Sequence, residues 1–186
     1  MPNHIQNEVI FKGLTEAQLE DILAAALDED KQVDFSVLLP EPLYCWRYSV
    51  GQQHIQAFGE ENTSLDWCRR HWGTKWNAYE QQPVETLTPR TGKADGFIIF
   101  RFQTAWSPPY GWLCALFNKL NLPFEYHWLD EGESWSHSGS FTPPAEDSEP
   151  YFDPWSEKKS TLETHRRIHK LMYGVEEFED DADTEE

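Results

Sequence analysis

The chain opens with "HIQNEVIFKG", residues 4 to 13, whose mixed apolar and polar positions read as a first β-strand. In the next segment, "LTEAQLEDILAAALD", Leu19, Ile22, Leu23 and Ala26 recur at i, i+3, i+4 and i+7 and form one apolar helical face. Thr15 and Gln18 stand at the spacing of a capping box, which sets the start of that helix. "QVDFSVLLP" follows, rich in β-formers and stopped by Pro40 and Pro42. The pattern predicts a second strand there, and so a βαβ opening.

Residues 40 to 60 are less regular, and "NTSLDWCRRHWG" then predicts a short helix. It has an Asn, Thr or Ser cap, an apolar stripe of Leu65, Cys68 and Trp72, and Gly73 as its stop. After a polar segment with Pro83 and Pro89, "DGFIIFRFQTAW" is a nearly continuous apolar run, which suits a central strand covered on at least one face. "SPPYGWLCALFNKLNLP" begins with proline at a helix start and sets Leu113, Leu116, Phe117 and Leu120 on one face. "FEYHWLDEGESWSHSGSF" alternates Phe124, Tyr126 and Trp128, turns through Glu131 and Gly132, and alternates again through Trp135, His137, Gly139 and Phe141, as a β-hairpin does. Residues 142–156 are proline-rich and acidic and read as a loop. A basic helix is expected over about 157–174, carrying Lys158, Lys159, Arg166, Arg167 and Lys170.

Strands and helices in this order, with the two halves about fifty residues apart, fit an α+β fold. The expected form is a ferredoxin-like split-βαβ sandwich over residues 1–141, with an inserted segment and the C-terminal helix added. At 186 residues and 39% hydrophobic, the chain can close one core of that kind.

Charge narrows the function classes. The formal net charge is −18, and eight carboxylates fall in the last eleven residues without one base. Residues 175–186 therefore read as a disordered acidic tail. A surface this acidic repels phosphate backbones and anionic lipid over roughly 8 Å, so direct nucleic-acid and membrane binding are disfavoured. No run of about 18 apolar residues and no secretory signal pattern is present, which places the expectation in the cytoplasm. Cys45, Cys68 and Cys114 are odd in number and far apart, as reduced thiols are.

Four segments taken together carry a family likeness: "MPNHIQN" at the start, "WGTKWNAYE" in the middle, "TAWSPP" at the end of the central strand and "WLDEG" entering the hairpin. They resemble the YubB-type ferredoxin-like domain family, small proteins of bacteriophages and conjugative plasmids with no assigned biochemical activity. The likeness spans most of residues 1 to 141 and departs from the family at Trp128 and Leu129. It implies a fold and a mobile-element setting in a bacterial host cell, and no reaction.

Candidate chemistry concentrates in "WGTKWNAYE". If the chain runs extended after Gly73, Lys75, Asn77 and Tyr79 share one face and Trp76 takes the other. Trp106 and Ser107 end the central strand and can reach the same edge, giving an aromatic wall with one ammonium, one carboxamide and one hydroxyl. The bland alternative is that Trp72, Trp76 and Trp106 fill core and Asn77 ties down a turn. Glu131, beside Asp130 and Glu133, and His4 complete the candidate binding residues. Cys68 with His71, and His165 with His169, have two-ligand metal spacing but no further partners, so no metal, cofactor or catalytic residue is assigned. No phosphate loop, nucleophile elbow or zinc-protease motif occurs.

The expected function is a non-enzymatic protein-interaction module whose partner is a host or competing-element protein with a basic surface. A narrower form is an acidic DNA mimic acting against a defence or replication protein. The alternative is a small-molecule-binding domain or enzyme with its pocket around Lys75, Trp76, Asn77 and Trp106. The basic C-terminal helix followed by acidic residues suggests, in addition, that the tail folds back to mask the helix.

Overall fold

In the computed structural model, which describes residues 3–48, 50–143 and 155–175, a six-stranded sheet is built around β1 (His4–Leu14). The other strands are β2 (Glu85–Leu87), β3 (Gly96–Ala105), β4 (Phe124–Asp130), β5 (His137–Phe141) and β6 (Trp155–Lys159). Their order is β2-β3-β1-β4-β5-β6, antiparallel at every junction. The first four strands with α1 (Glu16–Ala26) and α5 (Tyr110–Leu120) make the two split βαβ units of a ferredoxin-like fold. The hairpin extension β5-β6 continues the sheet beyond β4.

Alternation along the strands gives the sheet two unlike faces. One carries Val9, Phe11, Ile98, Phe100, Phe102, Phe124 and Tyr126, all buried against Leu19 and Ile22 of α1 and Trp112, Leu113 and Leu116 of α5. Each large apolar side chain fully removed from water there contributes about 1.5–3 kcal/mol. Asn7 is the one fully buried amide on this face. Its Nδ2 donates to the Ile5 and Phe102 carbonyls and to Thr104 Oγ1, and its Oδ1 accepts from the Tyr126 hydroxyl, so its polarity is satisfied. The other face is covered by α6 (Leu162–Tyr173), which buries Ile168 and His165.

α1 starts where the capping box is expected, with Thr15 and Gln18 bonded reciprocally. Its buried side is Leu19, Ile22, Ala25 and Ala26. Differences from the expected elements arise elsewhere, chiefly in the long insertion between α1 and β2. Residues 35–38, expected in a strand, form the single turn α2 (Phe35–Leu38), capped by Asp34 accepting from Ser36 N at 2.7 Å. The preceding residue, Val33, has its backbone hydrogen bonds taken by the side-chain amide of Gln81, at 2.7 and 2.8 Å. The second strand of the first split unit is therefore β2, beyond the insertion. Residues 40–60 contain α3 (Gln52–Phe58), and α4 (Ser64–His71) follows with Thr63 as its cap. The basic helix begins at Leu162, because the residues expected to open it are strand β6. Most of the proline-rich loop, and all of the acidic tail after Val175, lie outside the described residues. Among the described residues no helix is long and apolar enough to cross a membrane.

α4 and α5 meet closely. A Cβ added at Gly111 would stand 2.2 Å from the His71 carbonyl oxygen, so only glycine fits this crossing. Trp112 N donates to Trp72 O at 3.2 Å and fixes it. Gly73, at φ +88°, then turns the chain out of α4 toward the end of β3.

Candidate functional site

At the C-terminal end of β3 the chain leaves the sheet through Trp106, a non-glycine residue at φ +76°. A bulky side chain in this region is strained, and surrounding bonds must hold it. Trp106 N donates to Asn3 O at 2.9 Å, and Thr104 Oγ1 donates to Ser107 O at 2.9 Å. Ser107 Oγ donates to Gly73 O, and Thr74 Oγ1 donates to Ala105 O at 2.8 Å, so the segment after α4 is stitched to the end of β3.

That stitching assembles a cationic aromatic platform. Lys75 Nζ lies 4.5 Å from the Trp76 ring centre and 4.3 Å from that of Trp106, and the Arg69 guanidinium sits 4.4 Å over Trp106 from α4. Trp76 and Trp106 remain 40% and 39% exposed, whereas Trp72 is buried. Each contact of this kind at an exposed site contributes about 0.5–1 kcal/mol and pre-orders the rings. Tyr79 meets Trp76 edge-on at 6.2 Å, donates its hydroxyl to Thr104 O at 3.1 Å, and lies 2.7 Å from His4 Nδ1. Burial, with the Glu131 and Glu80 charges adding, pushes the Tyr79 phenol up to about 12, so it stays protonated.

The structure thus brings together Lys75, Trp76, Tyr79, Trp106 and His4, and adds Arg69. It does not bring Asn77 to them. Residues 74–77 bend instead of running extended, and Asn77 faces α2. There its Oδ1 accepts from Phe35 N at 3.0 Å and its Nδ2 donates to Asp34 Oδ1 at 2.6 Å. Ser107 serves the backbone turn. Glu131 is exposed at the hairpin, its N–H bonded to His4 O at 3.0 Å and its carbonyl accepting from the Tyr173 hydroxyl at 3.2 Å. Of the two spaced pairs, Cys68 is buried while His71 stacks on Trp67, and His165 and His169 meet edge to face at 5.9 Å, His165 stacked on Trp135 and His169 against Tyr173. Among the described residues no group of three or more His, Cys, Asp or Glu is placed to hold a metal ion.

Two further features were not read from the sequence. In the insertion, Trp46 stacks on His54 at 4.8 Å and on Phe58 at 5.1 Å, anchored by backbone bonds from Trp46 N to Asn62 O and from Ser64 N to Trp46 O. Tyr48 meets Trp46 edge-on at 5.4 Å, and Leu43, Tyr44 and Tyr48 of this segment stand 94%, 71% and 76% exposed, with Ile55 and Phe58 also exposed. The cluster "EPLYCWRYSV" carries this signal in its aromatic density, but nothing in its spacing says which side chains face water.

The second feature is a polar row across the sheet, on the α6 side. Register aligns Arg101, Glu8, His127, Ser138 and Lys158 on β3, β1, β4, β5 and β6. Glu8 is fully buried, with Arg101 Nε at 2.8 Å and Arg167 Nη2 of α6 at 2.7 Å. Arg101 also pairs with Glu85. The sign in the sequence was a lone acid within an otherwise buried strand.

A family model described as the ferredoxin-like domain in Api92-like protein matches residues 71–172, more than half of the chain. The matched span takes in the platform residues from Lys75 to Trp106, the polar row on β3 to β6, and nearly all of α6, and it excludes the insertion's exposed aromatic cluster. No curated protein and no solved structure gives a match.

Proposed function

The chain belongs to the family of the ferredoxin-like domain in Api92-like protein, and from that premise we propose that it acts by binding, as a protein-interaction module. The observation that carries this reading is the exposed apolar surface of the insertion, where Leu43, Tyr44 and Tyr48 face water next to Ile55 and Phe58. Large apolar side chains gathered in one segment and left in water mark interaction surfaces, and tyrosine is a favoured anchor of interfaces. The partner is a host or competing-element protein. The resemblance to YubB-type proteins supports a phage or plasmid setting and a site of action in the cytoplasm of the bacterial host.

The formal charge of −18 supports a narrower version, in which a basic nucleic-acid-binding surface on the partner is occupied by carboxylates of this protein. On α1 and the turn after it, Glu16, Glu20, Asp21, Glu29 and Asp30 are exposed and supply such a face. Affinity capture from host lysate at low and high salt separates the versions. A partner retained at high salt and lost on the double substitution Leu43→Ser/Tyr48→Ser supports the apolar patch. A partner released by salt and indifferent to that substitution supports the acidic face. Capture of no protein that responds to either change overturns the reading.

A second reading rests on the platform: Lys75 between two half-exposed indoles suits a planar anionic small molecule. Asn77, turned toward Asp34, takes no part in it. Quenching of tryptophan fluorescence by nucleoside monophosphates, lost in Trp106→Gly, supports this reading, and unchanged fluorescence at millimolar ligand removes it.

A further inference from the structure

Three neighbours in the polar row differ in chemistry from the ion pairs beside them. His127 on β4, Ser138 on β5 and Lys158 on β6 stand in cross-strand register on the face that α6 covers. His127 Nδ1 is 2.8 Å from Ser138 Oγ, and Ser138 Oγ is 2.6 Å from Ser160 Oγ. The two hydroxyls and the imidazole line a cavity of about 260 Å³ together with Lys158, Glu125 and Thr161. We propose that Ser138 is a nucleophile activated by His127, and that the cavity accepts a small acyl group presented as an ester or thioester.

The hydrogen bonds have one consistent direction for this role. Burial holds His127 below the ordinary histidine range, which favours the neutral ring. The charges that face it are Glu8 and Lys12 of β1, Glu125 of β4 and Arg167 of α6, two of each sign, so none overrides the burial. A neutral ring with a bare Nδ1 accepts the Ser138 proton, and Ser160 then donates to Ser138 Oγ. The other ring nitrogen, Nε2, carries its proton toward Glu125 Oε2 at 3.8 Å, which favours this tautomer electrostatically. A base and a hydroxyl in contact with it are the reacting parts of nucleophilic acyl transfer, and Glu125, whose oxygens are held by Lys12 at 2.8 and 3.0 Å, adds nearby negative charge without a hydrogen bond to the ring.

The step balances within the chain and its substrate. Ser138 Oγ attacks the acyl carbon while its proton passes to His127 Nδ1, and the carbonyl oxygen becomes an anion. Lys158 and the N-terminal turn of α6, twelve residues long and capped by Thr161, supply positive potential for that charge. Collapse expels the alkoxide or thiolate, which takes the proton from His127 and leaves an acyl-Ser138. Water attacks this ester with its proton passing to His127, and the departing Ser138 oxygen recovers that proton, freeing the carboxylic acid. The cavity is smaller than the pockets of about 300–1,000 Å³ that take drug-sized ligands, which limits the acyl group to a short one.

The test is covalent labelling of the full chain with a fluorophosphonate, followed by peptide mapping. One adduct is expected, on Ser138, formed by the folded protein and absent from the protein in urea. Ser138→Ala is expected to abolish it, and His127→Gln to slow it by roughly 100-fold, the scale of a general base. An unlabelled folded wild type, an adduct on another residue, or a rate equal in folded and unfolded chains overturns the proposal, whether or not either variant folds.

Discussion

Arg167 of the C-terminal helix reaches 2.7 Å to Glu8 Oε2, and Glu8, on the central strand, is fully buried. Arg101 occupies the other carboxylate oxygen at 2.8 Å, so one acid ties α6 and β3 to β1. Breaking a buried pair by removing one partner leaves uncompensated charge, at about 3–5 kcal/mol. Glu8→Gln is expected to lose about that much in urea denaturation. Arg167→Met, whose partly exposed cation leaves Glu8 still paired to Arg101, is expected to lose about 1 kcal/mol. A double-mutant cycle that found the two changes additive would show that the helix is docked by its apolar side alone.

His127 gives stability a pH dependence. Its folded-state value is depressed below the ordinary 6.5 by burial, with Glu8, Arg167, Glu125 and Lys12 as the charges facing it. A depressed histidine binds protons more readily in the unfolded chain, so its contribution is complete above about 6.5 and is lost as the pH falls below that value. The urea midpoint of the wild type is expected to decline from pH 7 to pH 5, and His127→Gln to decline less. Equal slopes would remove the assignment.

Lys75 and Asn77 separate binding from folding. The Lys75 ammonium lies over two half-exposed rings, and Lys75→Ala is expected to cost about 1 kcal/mol. Asn77→Ala removes the acceptor of Phe35 N and the donor to Asp34, and is expected to cost about 2 kcal/mol. Thermal or urea unfolding of the two variants side by side checks the order.

Backbone strain at Trp106 is measurable by comparing two truncations. Trp106→Ala keeps a Cβ at φ +76°, and Trp106→Gly does not. Both lose the same ring, so the glycine variant is expected to be the more stable by about 1 kcal/mol. Equal midpoints would mean that the turn relaxes when the indole leaves.

The split-βαβ architecture was legible in the sequence where local signals agree with global ones. The capping box at Thr15, the apolar run of β3 and the α5 stripe each reappear in place. Segments whose partners are distant were not legible. Val33 has strand-like bonds supplied by a glutamine side chain 48 positions away, while Phe35 turns into a helix fastened by Asn77. β2 has three exposed residues, so no alternation marks it, and only pairing with β3 defines it. At the candidate site the aromatic run was visible, but the direction of each side chain depends on the bends after Gly73. Nothing within residues 71–80 says that Arg69 or His4 will join.

The row from Arg101 to Lys158 also bears on how the sheet is proofread. A slip of one position between β1 and β4 would send Glu8 or His127 toward the aromatic layer under α1 and α5 and bring Trp128 to the side of α6. The charge on Glu8 would then be buried without Arg101 or Arg167, so mispaired sheets are penalised far more than an all-apolar row would penalise them. The same residues that spend polarity inside the fold make the correct alignment of five strands the one alignment that the chain can keep.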